Sequence, residues 1–237
     1  PVIVGLGPIS SEIVSPILGS GFTYIENPTS SDLAIAEGAI VRAAFKFNKS
    51  VFDAMPNLKV VSRTGVGTEL VDLDIADARG IPVLVTPGSN TNAVAEGAFA
   101  HILHLSKRLG PLTKLVASDK WNEQTNFPVG DLEGQTLGVI GYGRIGAVVA
   151  GYGKAFGMPV RVWAREASLA RARADGYAAS ASKAAFFEEC DVVSLHMRLV
   201  DATRGIVSAA DLARMKPSAL LVNTSRAGLI APGALHQ

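Results

Sequence analysis

A chain of 237 residues can form one large or two modest domains, and 48% hydrophobic with 18% charged residues is typical of a folded globular protein. The formal net charge of +1, with scattered basic residues, argues against a nucleic acid as partner. The single cysteine, Cys190, excludes an internal disulfide, and no Cys/His spacing resembles a metal site. No signal segment or bilayer-spanning apolar run is recognised, although the sequence begins at Pro1 rather than Met. We therefore expect a cytoplasmic protein without a membrane partner.

The first half of the sequence alternates short apolar runs with polar stretches of helical spacing. The predicted strands are residues 2–6, 22–26, 39–43, 58–64 and 82–86. Strands that are apolar on both faces and alternate with helices predict a parallel sheet covered on each side. Residues 1–90 are thus predicted to form a doubly wound α/β domain.

Residues 90–109 are predicted to form one long helix that links this domain to a second one. The helix is apolar almost all round, which indicates burial on several sides. A short helix around residues 112–118 is expected to follow it.

Residues 91–237 are predicted to form the second domain, through another alternating series. Its strands are expected at residues 136–141, 159–164, 191–196 and 219–224, and its helices at residues 144–156, 168–175, 182–189 and 208–215.

A glycine pattern, G-x-G-x-x-G, lies between the first strand and first helix of this series, at Gly141, Gly143 and Gly146. This context is the one that a dinucleotide-binding loop requires. The first glycine permits the tight turn, the second lets the backbone approach a pyrophosphate, and the third allows close packing of helix on strand. The alternative is a purely structural turn. The pair Gly5 and Gly7 lacks the third glycine and indicates only a turn at a strand end.

The end of the next strand bears on the type of cofactor. An NAD-selective site usually has an acidic residue there, whereas this sequence has Ala164 and Arg165. A guanidinium would attract a 2′-phosphate, so NADP is slightly favoured. Glu166 keeps NAD open as the alternative, because a shifted loop could bring its carboxylate to the ribose.

Several ordered motifs together resemble the D-2-hydroxyacid dehydrogenase family, which includes phosphoglycerate dehydrogenase and the glyoxylate/hydroxypyruvate reductases. The resemblance extends over essentially the whole chain and rests on the stretch from residue 56 to 103, on LEGQTLGVIGYGRIG, on residues 191–230 and on Trp121. It implies a flavodoxin-like substrate domain followed by a Rossmann NAD(P)-binding domain. It also implies hydride transfer between NAD(P)H and a small 2-oxo acid or D-2-hydroxy acid.

The resemblance assigns roles to individual residues. The TGVG loop implies that the Val66 and Gly67 amides bind the substrate carboxylate, and successive N–H groups in such a turn do suit an anion. The cofactor-binding residues that it implies are Gly141, Gly143, Arg144, Ile145, Gly146, Ala164, Arg165, His196, Thr203, Thr224 and Ser225. His196 is expected to be a neighbour of the cofactor rather than a catalyst.

Arg226 is the predicted catalytic and substrate-binding residue. It follows a parallel strand, where ligands bind in open α/β sheets, and it matches the arginine that grips the substrate carboxylate and polarises the carbonyl in the family. A planar guanidinium can hold two oxygens while staying charged. A solvated surface arginine is the alternative, since most arginines are exposed.

The sequence also departs from the family pattern. Arg198 stands where proline is common, and Glu69 where aspartate is common. The catalytic histidine and glutamate of the family are expected on the carboxyl side of Gln237, so the chain is predicted to be part of a longer enzyme. His236 is expected to lie in a helix too early for that role, and His101 and His104 are expected to be packing or interface residues.

Glyoxylate or hydroxypyruvate is the preferred substrate, and phosphoglycerate dehydrogenase is the alternative enzyme. A dinucleotide-sensing corepressor on the same scaffold is the alternative outside catalysis. Members of the family are usually dimers through the cofactor domain, which implies a homodimer with a contribution from the helix at residues 90–109.

Overall fold

The protein was analysed as a computed structural model, which describes residues 1–42, 45–126 and 128–236. The chain divides into two compact units, Pro1–Asn90 and Thr91–Gln237. Each unit contains a parallel five-stranded sheet with helices packed on it, so the α/β class is confirmed.

The first unit alternates strands and helices along its length. Its elements are β1 (Val2–Leu6), α1 (Ser11–Leu18), β2 (Thr23–Glu26), α2 (Ser30–Ile35), β3 (Gly38–Val41), α3 (Lys49–Ala54), β4 (Val60–Arg63), α4 (Leu73–Ala78) and β5 (Val83–Leu84). The strand order is β2-β1-β3-β4-β5, and every pairing is parallel. The predicted strand at residues 39–43 ends beyond the described residues, because Ala43 lies outside them.

The core of the first unit lies between the sheet and its helices. Phe47 and Phe52 are completely buried, and their rings meet edge to face with centroids 4.6 Å apart. Helix α3 begins where the Asn48 side chain accepts a hydrogen bond from the Val51 N–H, which satisfies one otherwise unpaired donor of the first turn. The cap thereby fixes the register that places Phe52 in this core.

The second unit begins with two helices and continues as an alternating series. Its elements are α5 (Thr91–Ser106), α6 (Leu109–Ala117), β6 (Leu137–Ile140), α7 (Arg144–Ala155), β7 (Val160–Trp163), α8 (Glu166–Ala174), β8 (Ala178–Ala179), α9 (Lys183–Glu189), β9 (Val192–Leu195), α10 (Ala209–Leu212) and β10 (Leu220–Asn223), with short 3-10 helices at Trp121–Asn126, Asp201–Thr203 and Ala227–Leu229.

The second sheet has the order β10-β9-β6-β7-β8. Numbered from β6, this is the 3-2-1-4-5 order of dinucleotide-binding sheets. Strands β6 and β9 are neighbours whose connections leave in opposite directions, so the switch point of the sheet lies between their carboxyl ends. All four residues of β6 are buried, as expected for a central strand covered on both faces.

The long helix predicted at residues 90–109 is present as α5, but it ends at Ser106, and the prediction that it is buried on several sides is wrong. Arg108 has a left-handed backbone (φ 48°) and separates α5 from α6. On α5 the buried residues are Ala95, Ala98, Phe99 and Ile102, which form one face at helical spacing, whereas His101 and His104 are exposed. Helix α5 therefore belongs to the core of the second unit, where it packs against α7 and β10.

Two smaller differences concern the end of the chain and the sheet edge. Residues 232–235 form turns rather than the expected helix, and Gln237 lies outside the described residues. The two-residue strand β8 was not predicted, because Ala178 and Ala179 carry no strand-forming side chains.

The single buried face of α5 can be tested by substitution. We expect Ile102→Ala to lower the free energy of unfolding by about 2 to 5 kcal/mol, since it removes a completely buried side chain. The matched variant His101→Ala lies on the exposed face of the same helix and is expected to change it by less than about 0.5 kcal/mol. Equilibrium denaturation monitors both, and equal losses would contradict this placement of α5.

Candidate functional site

The glycine loop between β6 and α7 lies at the switch point of the second sheet. Gly141 has a φ of +90°, and a side chain there would lie 2.8 Å from the carbonyl oxygen of His196. A side chain on buried Gly146 would collide with the carbonyl of Gly141, which shows how closely α7 approaches the strand. Both glycines are therefore required by the fold of the loop itself.

The amino end of α7 presents backbone donors that have no acceptor in the described part of the chain. The first backbone hydrogen bond of the helix runs from the Ala147 N–H to the Gly143 carbonyl (3.0 Å), and no side chain caps the helix. Within the described residues, the N–H groups of Gly143, Arg144 and Ile145 donate to no acceptor. Gly143 is exposed, and a Cβ built on it has open space within 4 Å. Free amides and the positive end of the helix dipole suit a phosphate anion here.

The end of β7 places Ala164 and Arg165 in sequence before α8. Ala164 is half-buried, and exposed Arg165 is the N-cap residue of α8. The carboxylate of Glu166 is 2.6 Å from the Arg173 guanidinium, so it is engaged with its own helix. The structure thus leaves Arg165, rather than Glu166, as the charged group at this strand end without an ion partner among the described residues.

His196 directly follows β9 and lies beside the glycine loop, because its N–H donates to the Ile140 carbonyl at 2.7 Å. Its Nε2 is 2.9 Å from the hydroxyl of completely buried Ser194. Burial lowers the pKa of His196 to about 4, so the ring is neutral at physiological pH.

Two buried polar atoms at the ends of β9 and β10 have no hydrogen-bond partner in the described part of the chain. They are the Nδ1 of His196 and the Oγ1 of Thr224. The two strands pair in parallel up to Leu195 and Asn223, so these residues follow at matching positions. Buried polar groups normally find partners, and a pair of such atoms at a switch point is typical of a binding site.

The hydroxyls of Thr203 and Ser225 are occupied by the protein. The Thr203 hydroxyl accepts from the Val200 N–H (2.9 Å) and lies 2.6 Å from the Arg198 carbonyl. The Ser225 hydroxyl donates to the Leu195 carbonyl at 2.8 Å, which ties the end of β10 to β9. Both side chains therefore hold the backbone of the predicted site.

Arg226 lies at the carboxyl end of β10 and is exposed. It lines a cleft of about 510 Å³, together with residues 223–225, 227, 230–233, 235 and 236. The Asn223 side chain donates to the Arg226 carbonyl (2.9 Å) and accepts from the Ser225 N–H (3.0 Å). These bonds fix the backbone that carries the guanidinium. His236 lines the same cleft from a turn rather than a helix.

In the first unit, the TGVG loop follows β4 and presents further unused amides. The N–H groups of Val66 and Gly67 donate to no acceptor within the described residues. The Thr86 side chain accepts from the Gly65 N–H at 2.8 Å, and the Arg63 Nε donates to the Gly67 carbonyl. The loop is thus held from both sides while two successive amides remain available for an anion.

The sequence did not reveal the side chains that support these loops. Arg63 was read as part of an apolar strand, although it is only 7% exposed and holds Gly67. Tyr142, within the glycine pattern, is hydrogen-bonded to Asp175, and its carbonyl accepts from Arg171. The spacing of four between Arg171 and Asp175 places them on one face of a helix and was the available signal.

At the departures from the family pattern, Arg198 and Glu69 are both exposed. At the turn that contains Gly5 and Gly7, β1 ends at Leu6 and α1 begins only at Ser11, so no helix start follows Gly7 directly.

Nowhere in the described part of the chain do three or more His, Cys, Asp or Glu side chains gather to hold a metal ion. Among residues 1–42, 45–126 and 128–236, no helix is both long and apolar enough to cross a membrane.

The low pKa of His196 predicts that the free energy of unfolding depends on pH. The unfolded chain takes up this proton near pH 6.5 and the folded protein only near pH 4, so stability falls as the pH drops through this window. We expect the wild type to lose about 3 kcal/mol more than His196→Asn between pH 7 and pH 4. Denaturation series at both pH values measure this difference. Equal losses of unfolding free energy in the wild type and in His196→Asn would show that burial does not suppress protonation of His196.

The sequence model of the D-isomer specific 2-hydroxyacid dehydrogenase NAD binding domain matches residues 99–237. The chain is 32% identical over 231 residues to D-3-phosphoglycerate dehydrogenase of Bacillus subtilis strain 168, an alignment that covers 96% of this chain and 44% of the relative. It is 34% identical over 198 residues to hydroxypyruvate reductase of Thermotoga maritima, covering 84% of this chain and 63% of that protein. The chain therefore spans less than two thirds of these relatives.

Among solved structures, D-lactate dehydrogenase from Aquifex aeolicus, complexed with NAD and lactic acid, superposes with a TM-score of 0.84 at 29% identity. The superposition covers 100% of this chain and 72% of that structure. The match of the sequence model includes the whole glycine loop, and the strand order agrees with a dinucleotide-binding sheet. The chain belongs to the D-isomer specific 2-hydroxyacid dehydrogenase family.

Proposed function

We propose that the protein is an NAD(P)-dependent oxidoreductase that interconverts a small 2-oxo acid and a D-2-hydroxy acid. The observation that carries this proposal is the set of unused amides at the amino end of α7, located at the switch point of a sheet with dinucleotide-binding order. Membership of the family supports the same activity. A bound nicotinamide supplies or accepts the hydride.

The glycine loop fits a dinucleotide. Gly143, Arg144 and Ile145 would hold the pyrophosphate through their N–H groups, since these donate to nothing else among the described residues. The open space over Gly143 leaves room for the phosphates, and the contact of Gly146 with Gly141 keeps the helix close behind them.

The charged group at the end of β7 supports NADP over NAD. Arg165 would bind a 2′-phosphate, with Ala164 beside the adenosine ribose. Glu166, the residue that would favour NAD, is held by Arg173. The carboxylate that normally selects against the extra phosphate is therefore engaged elsewhere.

The nicotinamide half of the cofactor would lie near His196, Thr203, Thr224 and Ser225. The unpartnered Nδ1 of His196 and Oγ1 of Thr224 would gain partners there. A neutral His196 would serve this role without adding a positive charge. Thr203 and Ser225 would act mainly by holding the backbone, because their hydroxyls are already bonded.

Two groups would bind the substrate acid. Arg226 would hold the carboxylate and polarise the reacting carbonyl, because a planar guanidinium can bind two oxygens while staying charged. The Val66 and Gly67 amides would bind the carboxylate through the TGVG loop, which Arg63 supports. Polarisation by Arg226 would stabilise negative charge that develops on the carbonyl oxygen.

We assign substrate binding to residues 1–90 and cofactor binding to residues 91–237. The strand order β2-β1-β3-β4-β5 supports a flavodoxin-like substrate domain. The exposed face of α5, with Leu105, supports a homodimer that forms through the cofactor domain. A cytoplasmic location is consistent with the single buried cysteine.

Hydroxypyruvate or glyoxylate is the proposed substrate, and the similarity to hydroxypyruvate reductase supports it. The similarity to D-3-phosphoglycerate dehydrogenase favours phosphohydroxypyruvate as the alternative. Oxidation of NADPH and NADH by the complete gene product, with glyoxylate, hydroxypyruvate, pyruvate and phosphohydroxypyruvate, distinguishes them. Binding of a dinucleotide without turnover of any acid would instead indicate a corepressor-like sensor.

The role of Arg226 predicts a loss of turnover with cofactor binding retained. We expect Arg226→Gln to lower kcat/KM for the preferred 2-oxo acid by on the order of 100-fold, because the fixed charge at the carbonyl is removed. Arg214→Gln is the matched control, since Arg214 pairs with Glu188 on the surface. Steady-state kinetics and a fluorescence titration with NADPH separate the two effects, and an equal change in both variants would refute the assignment.

The role of Arg165 predicts a change in cofactor preference. We expect Arg165→Ala to raise the KM for NADPH about tenfold while the KM for NADH stays nearly constant, since a charge-assisted hydrogen bond to the 2′-phosphate is lost. Glu166→Ala is measured in parallel. If Glu166→Ala weakens NADH and Arg165→Ala leaves NADPH unchanged, the cofactor is NAD.

A further inference from the structure

Two residues at the carboxyl end of α8 form hydrogen bonds with Tyr142 in the glycine loop. The Arg171 Nη2 donates to the backbone carbonyl of Tyr142 at 2.8 Å, and the Tyr142 hydroxyl donates to Asp175 Oδ2 at 2.6 Å. Tyr142 is the residue between the first two glycines of the loop. We call Tyr142, Arg171 and Asp175 the loop clasp.

Within the clasp, Tyr142 is buried in the core, whereas Arg171 and Asp175 are exposed at the surface. Tyr142 is only 4% exposed, and its ring packs against Tyr177 with centroids 5.9 Å apart. Burial raises the pKa of Tyr142, and the bond to Asp175 raises it further, so the hydroxyl remains a donor. A buried aromatic residue fixed at its tip leaves its own backbone little freedom.

The bond to the Tyr142 carbonyl also fixes the amide that follows it. The Tyr142 carbonyl and the Gly143 N–H belong to one planar trans peptide and point in opposite directions. Because Arg171 holds the carbonyl towards α8, the Gly143 N–H points away from α8. This N–H is one of the donors that bind no acceptor in the described part of the chain.

The helix ladder of α7 does not supply this constraint. Its first backbone bond accepts at Gly143, one residue after the held carbonyl. Gly143 itself has no side chain to restrict rotation. Open space extends for 4 Å around the position that its Cβ would occupy, among the described residues. Without Arg171, the peptide between Tyr142 and Gly143 could turn more freely.

The same helix also carries the residue proposed to meet the 2′-phosphate. Arg165 is the N-cap of α8, and Arg171 and Asp175 lie near its other end. The clasp therefore fixes the distance between the glycine loop and Arg165 through one short rigid element. Both ends of the proposed dinucleotide site depend on the position of this helix.

We infer that the loop clasp is a set of positioning residues that orients the Gly143 amide for the cofactor pyrophosphate, with Arg171 as its principal member. The inference rests on the proposed function, because it names a residue set that serves the same cofactor site. Arg171 acts here through the loop backbone and not by a contact with the reacting atoms.

The first test needs no ligand. We expect Arg171→Ala to speed hydrogen exchange of the two hydrogen-bonded amides that flank the loop, those of Gly141 and Ala147, in the free protein, whereas Arg173→Ala should leave them unchanged. Arg173 is the matched control, because it lies on the same helix and pairs only with Glu166 among the described residues. Tyr142→Phe, which keeps the ring and removes the hydroxyl, is expected to give a smaller increase.

The second test measures the cofactor. We expect Arg171→Ala to weaken NADPH and NADH binding about tenfold each in a fluorescence titration, with kcat at saturating cofactor nearly unchanged. Arg171→Lys retains one donor and should recover part of the affinity. A purely structural role would lower the thermal midpoint without changing the affinity of the protein that remains folded.

The outcomes separate this inference from the proposed function. Wild-type protein that binds neither dinucleotide would defeat the proposed function and the inference with it. Wild-type binding, together with an Arg171→Ala variant of unaltered affinity, would overturn the inference alone, whether or not exchange is faster. If Tyr142→Phe folds where Arg171→Ala does not, its affinity decides the question on the same terms.

Discussion

The cofactor half of the molecule depends on how closely α7 can approach β6. That approach exists because Gly146 has no side chain to meet the Gly141 carbonyl, and because Gly141 can adopt a positive φ. With the helix in this position, its amino end faces the switch point, and its first amides have no acceptor among the residues that the structure describes. The free amides take their positions from this contact, and the same loop lies against the His196 carbonyl through Gly141.

Near this contact, several side chains form hydrogen bonds with the backbone, whereas two buried polar atoms have no partner among the described residues. Ser225 bonds to the last carbonyl of β9, Thr203 to the Arg198 carbonyl after that strand, and Asn223 to the Arg226 carbonyl after β10. His196 and Thr224, by contrast, keep one buried polar atom each without a partner in the described residues. Such a division is typical of a preorganised site, in which supporting bonds are made before a ligand arrives.

Much of the fold could be predicted from the sequence, because apolar runs and glycine positions report local structure directly. Strands β6, β7, β9 and β10 lie in short runs rich in Val, Ile and Leu, and the glycine loop followed from its place between strand and helix. The extent of α5 was mispredicted, since a helix with few charges looks buried all round although only one face of it is packed. The contact of Arg171 with the Tyr142 carbonyl joins residues that are 29 positions apart, and local sequence pattern carries no signal for such a partner. Arg63 contacts Gly67 only four positions away, but its place within an apolar strand gave no indication that its side chain would support the loop.

The three glycines of the loop differ in what requires them. Gly141 and Gly146 are demanded by the folded chain, since side chains there would strike its own backbone. At Gly143 the backbone is extended, and the free protein leaves room for a methyl group. The absence of a side chain at Gly143 therefore contributes little to folding. It leaves open space over the loop, where the proposed function places the pyrophosphate.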